Sequence, residues 1–141
     1  MIANSQIFVE TTGGTDILDL TPEVVRTLRS VSVGSGSLTL FIPGSTAALT
    51  TIEFESGAVA DLRAAIERMA PQDIYYAHNE RWGDGNGYAH VRAAMFGPSL
   101  HIPIIEGVLT LGTWQQIVLL DFDNRPRSRR IMVQILGESE G

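Results

Sequence analysis

The sequence predicts an α+β domain with a mainly antiparallel or mixed β-sheet. Three observations carry this. Short stretches with a period of two crowd the C-terminal third, helical spacing appears in only a few windows, and turn residues separate the extended stretches at hairpin distances. A chain of 141 residues fits a single domain over its whole length, 1–141, and is long enough to bury a core. Hydrophobic residues make up 44% and charged residues 18%, values of a globular rather than a disordered chain.

The elements follow in order. Ser5–Thr11 alternates Ile7 and Val9 with polar residues and reads as a strand. Gly13-Gly14 turns the chain, and Ile17–Leu20 extends a second strand. Thr21-Pro22-Glu23 then opens a helix, with Thr21 as N-cap, Pro22 in the first helical position and Glu23 facing the positive end of the dipole. Val24, Val25 and Leu28 form its apolar stripe, and it ends near Ser30. Ser37–Pro43 is a β-branched and aromatic run, hence a strand. Val59, Leu62, Ala65, Ile66 and Met69 give Gly57–Met69 the spacing of an amphipathic helix.

Pro71–Gly87 is the least regular stretch and holds Tyr75, Tyr76, His78, Trp82 and Asp84. A loop of this length and chemistry points to function. Tyr88–Phe96 reads as a short helix stopped by Gly97-Pro98. Strands are expected over Ser99–Pro103, from Val108 to Leu111 and past Thr113, over Trp114–Asp123, and over Arg129–Leu136. In the last, Ile131, Val133 and Ile135 alternate with Met132, Gln134 and Leu136. Glu106-Gly107 and Asp123-Asn124-Arg125-Pro126 supply the turns of this meander. The reading totals about seven strands and about three helices.

Composition narrows the function classes. The formal charge is −6, which argues against nucleic acid as a partner. Arg125, Arg127, Arg129 and Arg130 form one basic cluster, readable either as a phosphate grip or as the solvated start of a strand. The absence of cysteine excludes disulfides, thiol catalysis and cysteine-ligated metals. The N-terminal MIANSQIFVETTGG lacks the pattern of a signal peptide, and no apolar run is long enough to span a bilayer. A cytoplasmic protein without membrane partners is expected.

Several groups could carry chemistry. His78 and His90 flank Asp84 and Asn86, a set suited to a divalent metal or to acid–base work. His90 could equally do no more than cap the helix that begins at Tyr88. Asp84-Gly85-Asn86-Gly87 must turn sharply, and its N–H groups could form an anion nest. Pro43-Gly44-Ser45-Thr46-Ala47 is a glycine and hydroxyl turn that could bind phosphate, although it lacks the lysine of a P-loop. Glu53 and Glu55 share a face if the chain there is extended, and are ordinary N-terminal carboxylates if it begins a helix. In Gly112-Thr113-Trp114-Gln115-Gln116, Trp114 offers a stacking plane and Thr113 and Gln115 directional hydrogen bonds. A core or subunit-interface tryptophan is the competing reading.

Taken together, these pieces resemble the YjbQ-like (secondary thiamine-phosphate synthase) family from Gly36 to Glu138. The matching residues are Ser45-Thr46-Ala47 with Glu53, Asp84-Gly85-Asn86 with His90, and Gly97-Pro98-Ser99 with Pro103. They continue with Gly107 and Leu109, Gly112-Thr113-Trp114-Gln115, and Arg129-Arg130. The resemblance implies a homotrimer with sites near subunit boundaries. It also implies a weak activity that couples a thiazole phosphate to a pyrimidine pyrophosphate and expels pyrophosphate.

The resemblance further implies residue roles. His90, His78 and Glu53 would be catalytic. Ser45, Thr46, Asp84, Asn86, Thr113, Trp114, Gln115, Arg129 and Arg130 would bind a small phosphorylated metabolite, with Trp114 stacked on the pyrimidine. His78 and His90 would hold a divalent metal, zinc or magnesium, together with a third histidine. That third position falls on Gly44 in this chain. Either Glu53 or another carboxylate then takes its place, or this chain holds no metal. The alternative to an enzyme is a non-catalytic trimer that binds a small anionic metabolite or a metal.

Overall fold

The structure is a computed structural model, and it describes residues 1–139. In chain order the elements are β1 (Ile2–Glu10), β2 (Asp16–Asp19), α1 (Thr21–Arg29), β3 (Val33–Phe41), β4 (Ala47–Ile52) and α2 (Ser56–Met69). They continue with α3 (Ala77–Trp82), α4 (Gly87–Phe96), β5 (Ser99–Ile105), β6 (Val108–Leu109), β7 (Gln116–Asp121) and β8 (Ser128–Ser139). A five-stranded sheet runs β1-β8-β3-β5-β6 and a three-stranded sheet runs β2-β7-β4. Every strand pairing in both is antiparallel. The expected α+β class with a mainly antiparallel sheet is what the chain adopts.

The two sheets pack face to face, and period-two alternation supplies the filling. Ile131, Val133 and Ile135 of β8 and Leu38 and Leu40 of β3 point inward from the large sheet. Ile117 and Leu119 of β7 meet them from the small one, and Leu20, Val24 and Leu28 close the end at α1. The opposite face of β7, Val118 and Leu120, packs with Phe122, Ile66 of α2, and Tyr88, Ala89 and Ala93 of α4. The small sheet is therefore covered on both faces, which explains why β7 is a continuous apolar run rather than an alternating one. Arg92 ties the helical layer together from a buried position. Its Nε donates to the Ala70 carbonyl at 2.9 Å, Nη1 to Thr15 Oγ1 at 2.9 Å and Nη2 to Glu67 Oε2 at 2.5 Å.

Several expectations are corrected. There are four helices and eight strands among the described residues, against the three helices and seven strands expected. The extra helix, α3, lies inside the stretch read as irregular. It buries none of its residues and so shows no amphipathic stripe, and it stops at Gly83 in the left-handed region at φ +64°. The extra strand, β4 (AALTTI), begins with three buried residues in succession and so lacks alternation.

Three local corrections follow. The strand read as starting at Trp114 begins at Gln116, and the one read as running past Thr113 ends at Leu109. Thr21 is not the N-cap of α1. Leu20 occupies that position, and the Thr21 hydroxyl accepts from Ile117 N of β7 at 2.9 Å instead. Glu55 caps α2, accepting from Gly57 N at 2.7 Å and Ala58 N at 2.8 Å, so the helix-start reading holds for it. Those two backbone bonds hold its carboxyl below the usual range.

Candidate functional site

Two buried carboxylates at the end of β7 organise the site. Asp121 and Asp123 alternate along extended chain, so both turn away from the helical layer, toward the large sheet. Neither is exposed to solvent. Buried charge needs partners, and the start of β8 with the residue just before it supplies them. Arg129 Nε donates to Asp121 Oδ2 at 2.7 Å, and its Nη2 donates to Asp121 Oδ1 at 3.0 Å. Arg127 Nη2 lies 3.0 Å from Asp123 Oδ2. Thr46 Oγ1 donates to Asp123 Oδ2 at 3.0 Å and accepts from Arg129 Nη2 at 2.7 Å, which fixes the loop before β4.

The loop before α4 is bound to the same centre. Asn86 Nδ2 donates to Asp123 Oδ2 at 3.2 Å, and Asn86 Oδ1 accepts from Asn124 N at 3.1 Å. Asn124 Nδ2 donates to the Asp84 carbonyl at 2.7 Å. Burial alone would raise the Asp123 carboxyl. Hydrogen bonds from Arg127, Thr46 and Asn86, with the charge of Arg127, outweigh it and hold the group below its ordinary value.

The histidines stand on this platform. The Gly87 amide donates to Asn79 Oδ1 at 2.9 Å, and a Cβ on Gly87 would sit 2.6 Å from Tyr76 Cβ. Only glycine lets α3 approach the start of α4 so closely. That approach brings the His78 and His90 rings together, centroids 4.5 Å apart and planes inclined by 43°. His78 Nδ1 lies 3.5 Å from Asp84 Oδ1 and 3.3 Å from Asn79 Oδ1. His90 opens onto a hollow of about 260 Å³ lined by Gly44, Ser45, Ala47, Ala93, Ala94 and Pro98.

The structure thus gathers His78, His90, Asp84, Asn86, Ser45, Thr46 and Arg129 in one region. Arg130 lies at its edge, on a second hollow of about 290 Å³ shared with Phe8, Pro43, Ser128 and Arg129. Glu53, Thr113, Trp114 and Gln115 are elsewhere. Ala47 pairs with Asp121 at one end of β4, while Ile52 pairs with Gln116 at the other. Those two ends are about 17 Å apart at the usual rise of a strand. Glu53 follows the far end, where Phe54 N donates to Gln116 Oε1 at 2.8 Å and Gln115 Nε2 to Thr51 Oγ1 at 3.1 Å. Trp114 is 74% exposed there. Within one subunit Glu53 therefore cannot stand in for the ligand missing at Gly44.

The expected zinc or magnesium needs a grouped set of donors. Among the described residues no three His, Asp or Glu side chains are grouped to hold a metal ion. Two imidazoles fall short of the three protein ligands of a catalytic zinc site, so the residues of one subunit do not fit the metal. Sequence reasoning missed Asp121 and Asp123 as site residues and saw Arg127 only as a member of the basic cluster, not as the partner of a buried carboxylate. The available signal was the paired spacing D-x-D and R-x-R on either side of one tight turn, which puts two acids and two bases on matching faces.

The geometry defines a small α+β protein with a histidine-bearing hollow fixed by a buried aspartate–arginine network. The family model described as UPF0047 protein YjbQ-like matches residues 5–138, and the chain belongs to that family. A UPF0047 protein of Methanothermobacter thermautotrophicus is 34% identical over 97% of this chain and 94% of its own length. A crystal structure of a YbjQ-like protein of unknown function from Sulfolobus solfataricus superposes with a TM-score of 0.93. It is 31% identical and covers 98% of this chain and 99% of that one. A hypothetical protein from Aeropyrum pernix gives 0.90 at 31% identity, over 96% of this chain and 99% of that one. Among the described residues no helix is long and apolar enough to cross a membrane.

Proposed function

We propose that this chain acts on a small phosphorylated metabolite, with the coupling of a thiazole phosphate to a pyrimidine pyrophosphate as a low side activity. The contact between His78 and His90 beside an arginine-bearing loop supports this reading best. An imidazole pair backed by Asp84 can exchange a proton with a bound ligand, and Arg129 and Arg130 can meet the negative charge that grows on departing pyrophosphate. His90 faces the hollow and is assigned the proton transfer. His78, in contact with Asp84 and Asn79, orients it.

The test is direct. Purified protein is given the thiazole phosphate and the pyrimidine pyrophosphate, and thiamine phosphate is measured by chromatography. A slow rate is expected, falling by about 100-fold in His90→Ala, the scale of general acid–base catalysis. A wild-type rate no higher than that of His90→Ala removes the coupling activity.

A second observation favours assembly. Ile105 and Val108, paired at the free edge of the large sheet, are exposed at 59% and 63%, and Trp114, between β6 and β7, at 74%. Exposed apolar groups of this size mark contact surfaces, and a second and third copy of the chain are the proposed occupants. In that homotrimer, Trp114 and Gln115 serve the subunit boundary. If turnover is absent and the trimer still retains an anion, the chain is a binding protein.

A further inference from the structure

The turn Pro43-Gly44-Ser45-Thr46 has a feature the histidine chemistry does not use. The Arg129 side chain is nine-tenths buried. Its Nε and Nη2 are occupied by Asp121 and Thr46. Its Nη1 makes no hydrogen bond among the described residues and faces Gly44, where a Cβ would lie 3.2 Å from it. Held in place by the two engaged nitrogens and open to solvent on its free side, Nη1 is a pre-positioned charged donor aimed at the turn.

The turn offers more donors at the same place. Gly44 and Ser45 are exposed, and their backbone N–H groups donate no hydrogen bond among the described residues. The Ser45 hydroxyl also has no partner there. Gly44 adopts φ +124°, a conformation that side-chain-bearing residues rarely enter. The absence of a side chain at 44 thus leaves Nη1 uncovered and lets the turn keep its shape.

The nearby carboxylates are engaged. Asp121 is paired with Arg129 and Asp123 with Arg127, while Glu10 accepts from the Ser128 hydroxyl at 2.8 Å. Arg130 lines the adjoining hollow with no salt bridge among the described residues. We infer that Gly44, Ser45 and Arg129 Nη1, with Arg130 at the rim, form an oxyanion site that takes the phosphate group of a phosphomonoester. Two amides, one hydroxyl and a guanidinium match a group with three terminal oxygens better than a two-oxygen carboxylate. The inference rests on the reading that this region takes a phosphorylated metabolite, and it states where the phosphate sits.

The experiment is a titration of the full chain with inorganic phosphate, followed by amide NMR, with acetate as control. Saturable shifts of the Gly44 and Ser45 amides are expected with phosphate and not with acetate. Ser45→Asp puts a carboxylate among the donors and should weaken phosphate by about tenfold or more, the scale of losing a charge-assisted hydrogen bond. Ser45→Asn, neutral and of similar size, should lose much less. The Ser45 side chain makes no hydrogen bond among the described residues, so both variants should fold, which their melting curves check. His90→Ala should still bind phosphate.

Unchanged phosphate affinity in Ser45→Asp, or amide shifts elsewhere only, would overturn the site. If binding instead disappears in His90→Ala, the phosphate sits on the histidine side, and the functional reading survives without this one. Equal saturation with acetate overturns the preference for phosphate.

Discussion

Arg129 clamps Asp121 through two parallel hydrogen bonds, Nε to Oδ2 at 2.7 Å and Nη2 to Oδ1 at 3.0 Å, joining a strand of the large sheet to one of the small sheet. A planar guanidinium does this and an ammonium cannot. The clamp stands where the loops carrying Ser45 and Asn86 meet, so fold and site depend on the same pair. Asp121→Asn leaves Arg129 buried without its counter-charge and is expected to cost about 3–5 kcal/mol. Arg129→Lys keeps the charge and loses the fork, with a smaller loss. Denaturant unfolding of both variants measures the difference, and equal stability of wild type and Asp121→Asn would contradict the clamp.

Asp123 sets the behaviour in acid. Its folded carboxyl lies below the ordinary value of 3.8 because Arg127, Thr46 and Asn86 bind the charged form. A group depressed in the folded state stabilises above its unfolded value, and that contribution is lost as pH falls through the lower, folded value. Wild type should therefore exceed Asp123→Asn in stability at neutral pH, with the gap closing as pH drops below about 4. Melting temperatures of the two proteins from neutral pH down to that range show whether the curves converge.

Tyr88 is the opposite case. Its ring is buried against Phe122 and Ala89, while its hydroxyl has no hydrogen-bond partner among the described residues. Burial pushes the phenol above its usual value. Tyr88→Phe removes an unsatisfied polar atom and keeps the packing, so stability should change by no more than about 1 kcal/mol, in either direction. A loss well above that would reveal a bound water or partner at the hydroxyl.

These centres were unequally legible in the sequence. β8 announced itself through Ile131, Val133 and Ile135 and α2 through its helical spacing, because each has one buried and one open face, while α4 was marked by its stop at Gly97-Pro98. β4 and α3 did not, since β4 starts buried on both faces and α3 buries nothing. His78, Asp84, Asn86, Ser45 and Thr46 are legible as reactive residue types in irregular segments and turns, His90 in the helix that follows and Arg129 at the start of a strand. Asp121 and Asp123 were hidden inside an apolar strand and its turn, because their value lies in partners distant along the chain, Thr46 lying 77 residues before Asp123. Glu53 and Trp114 were grouped with the site because motif order does not say which end of a strand a residue occupies.

The exposed edge at Trp114 makes its own prediction. Trp114→Ala breaks no internal hydrogen bond of the side chain, so the subunit should stay folded while the assembly dissociates at concentrations where wild type remains trimeric. Sedimentation velocity measures this. A wild-type protein that sediments as a monomer would remove the trimer and leave the edge for another partner.

In the proposed arrangement the His78–His90 hollow and the Gly44–Ser45 turn hold the two parts of one phosphorylated ligand. The most direct measurement is an NMR titration of the purified protein with the thiazole phosphate, following His78, His90, Gly44 and Ser45 together. All four should respond with one dissociation constant, and Ser45→Asp should weaken the whole set. Saturation that leaves His90 and Ser45 unmoved would contradict it.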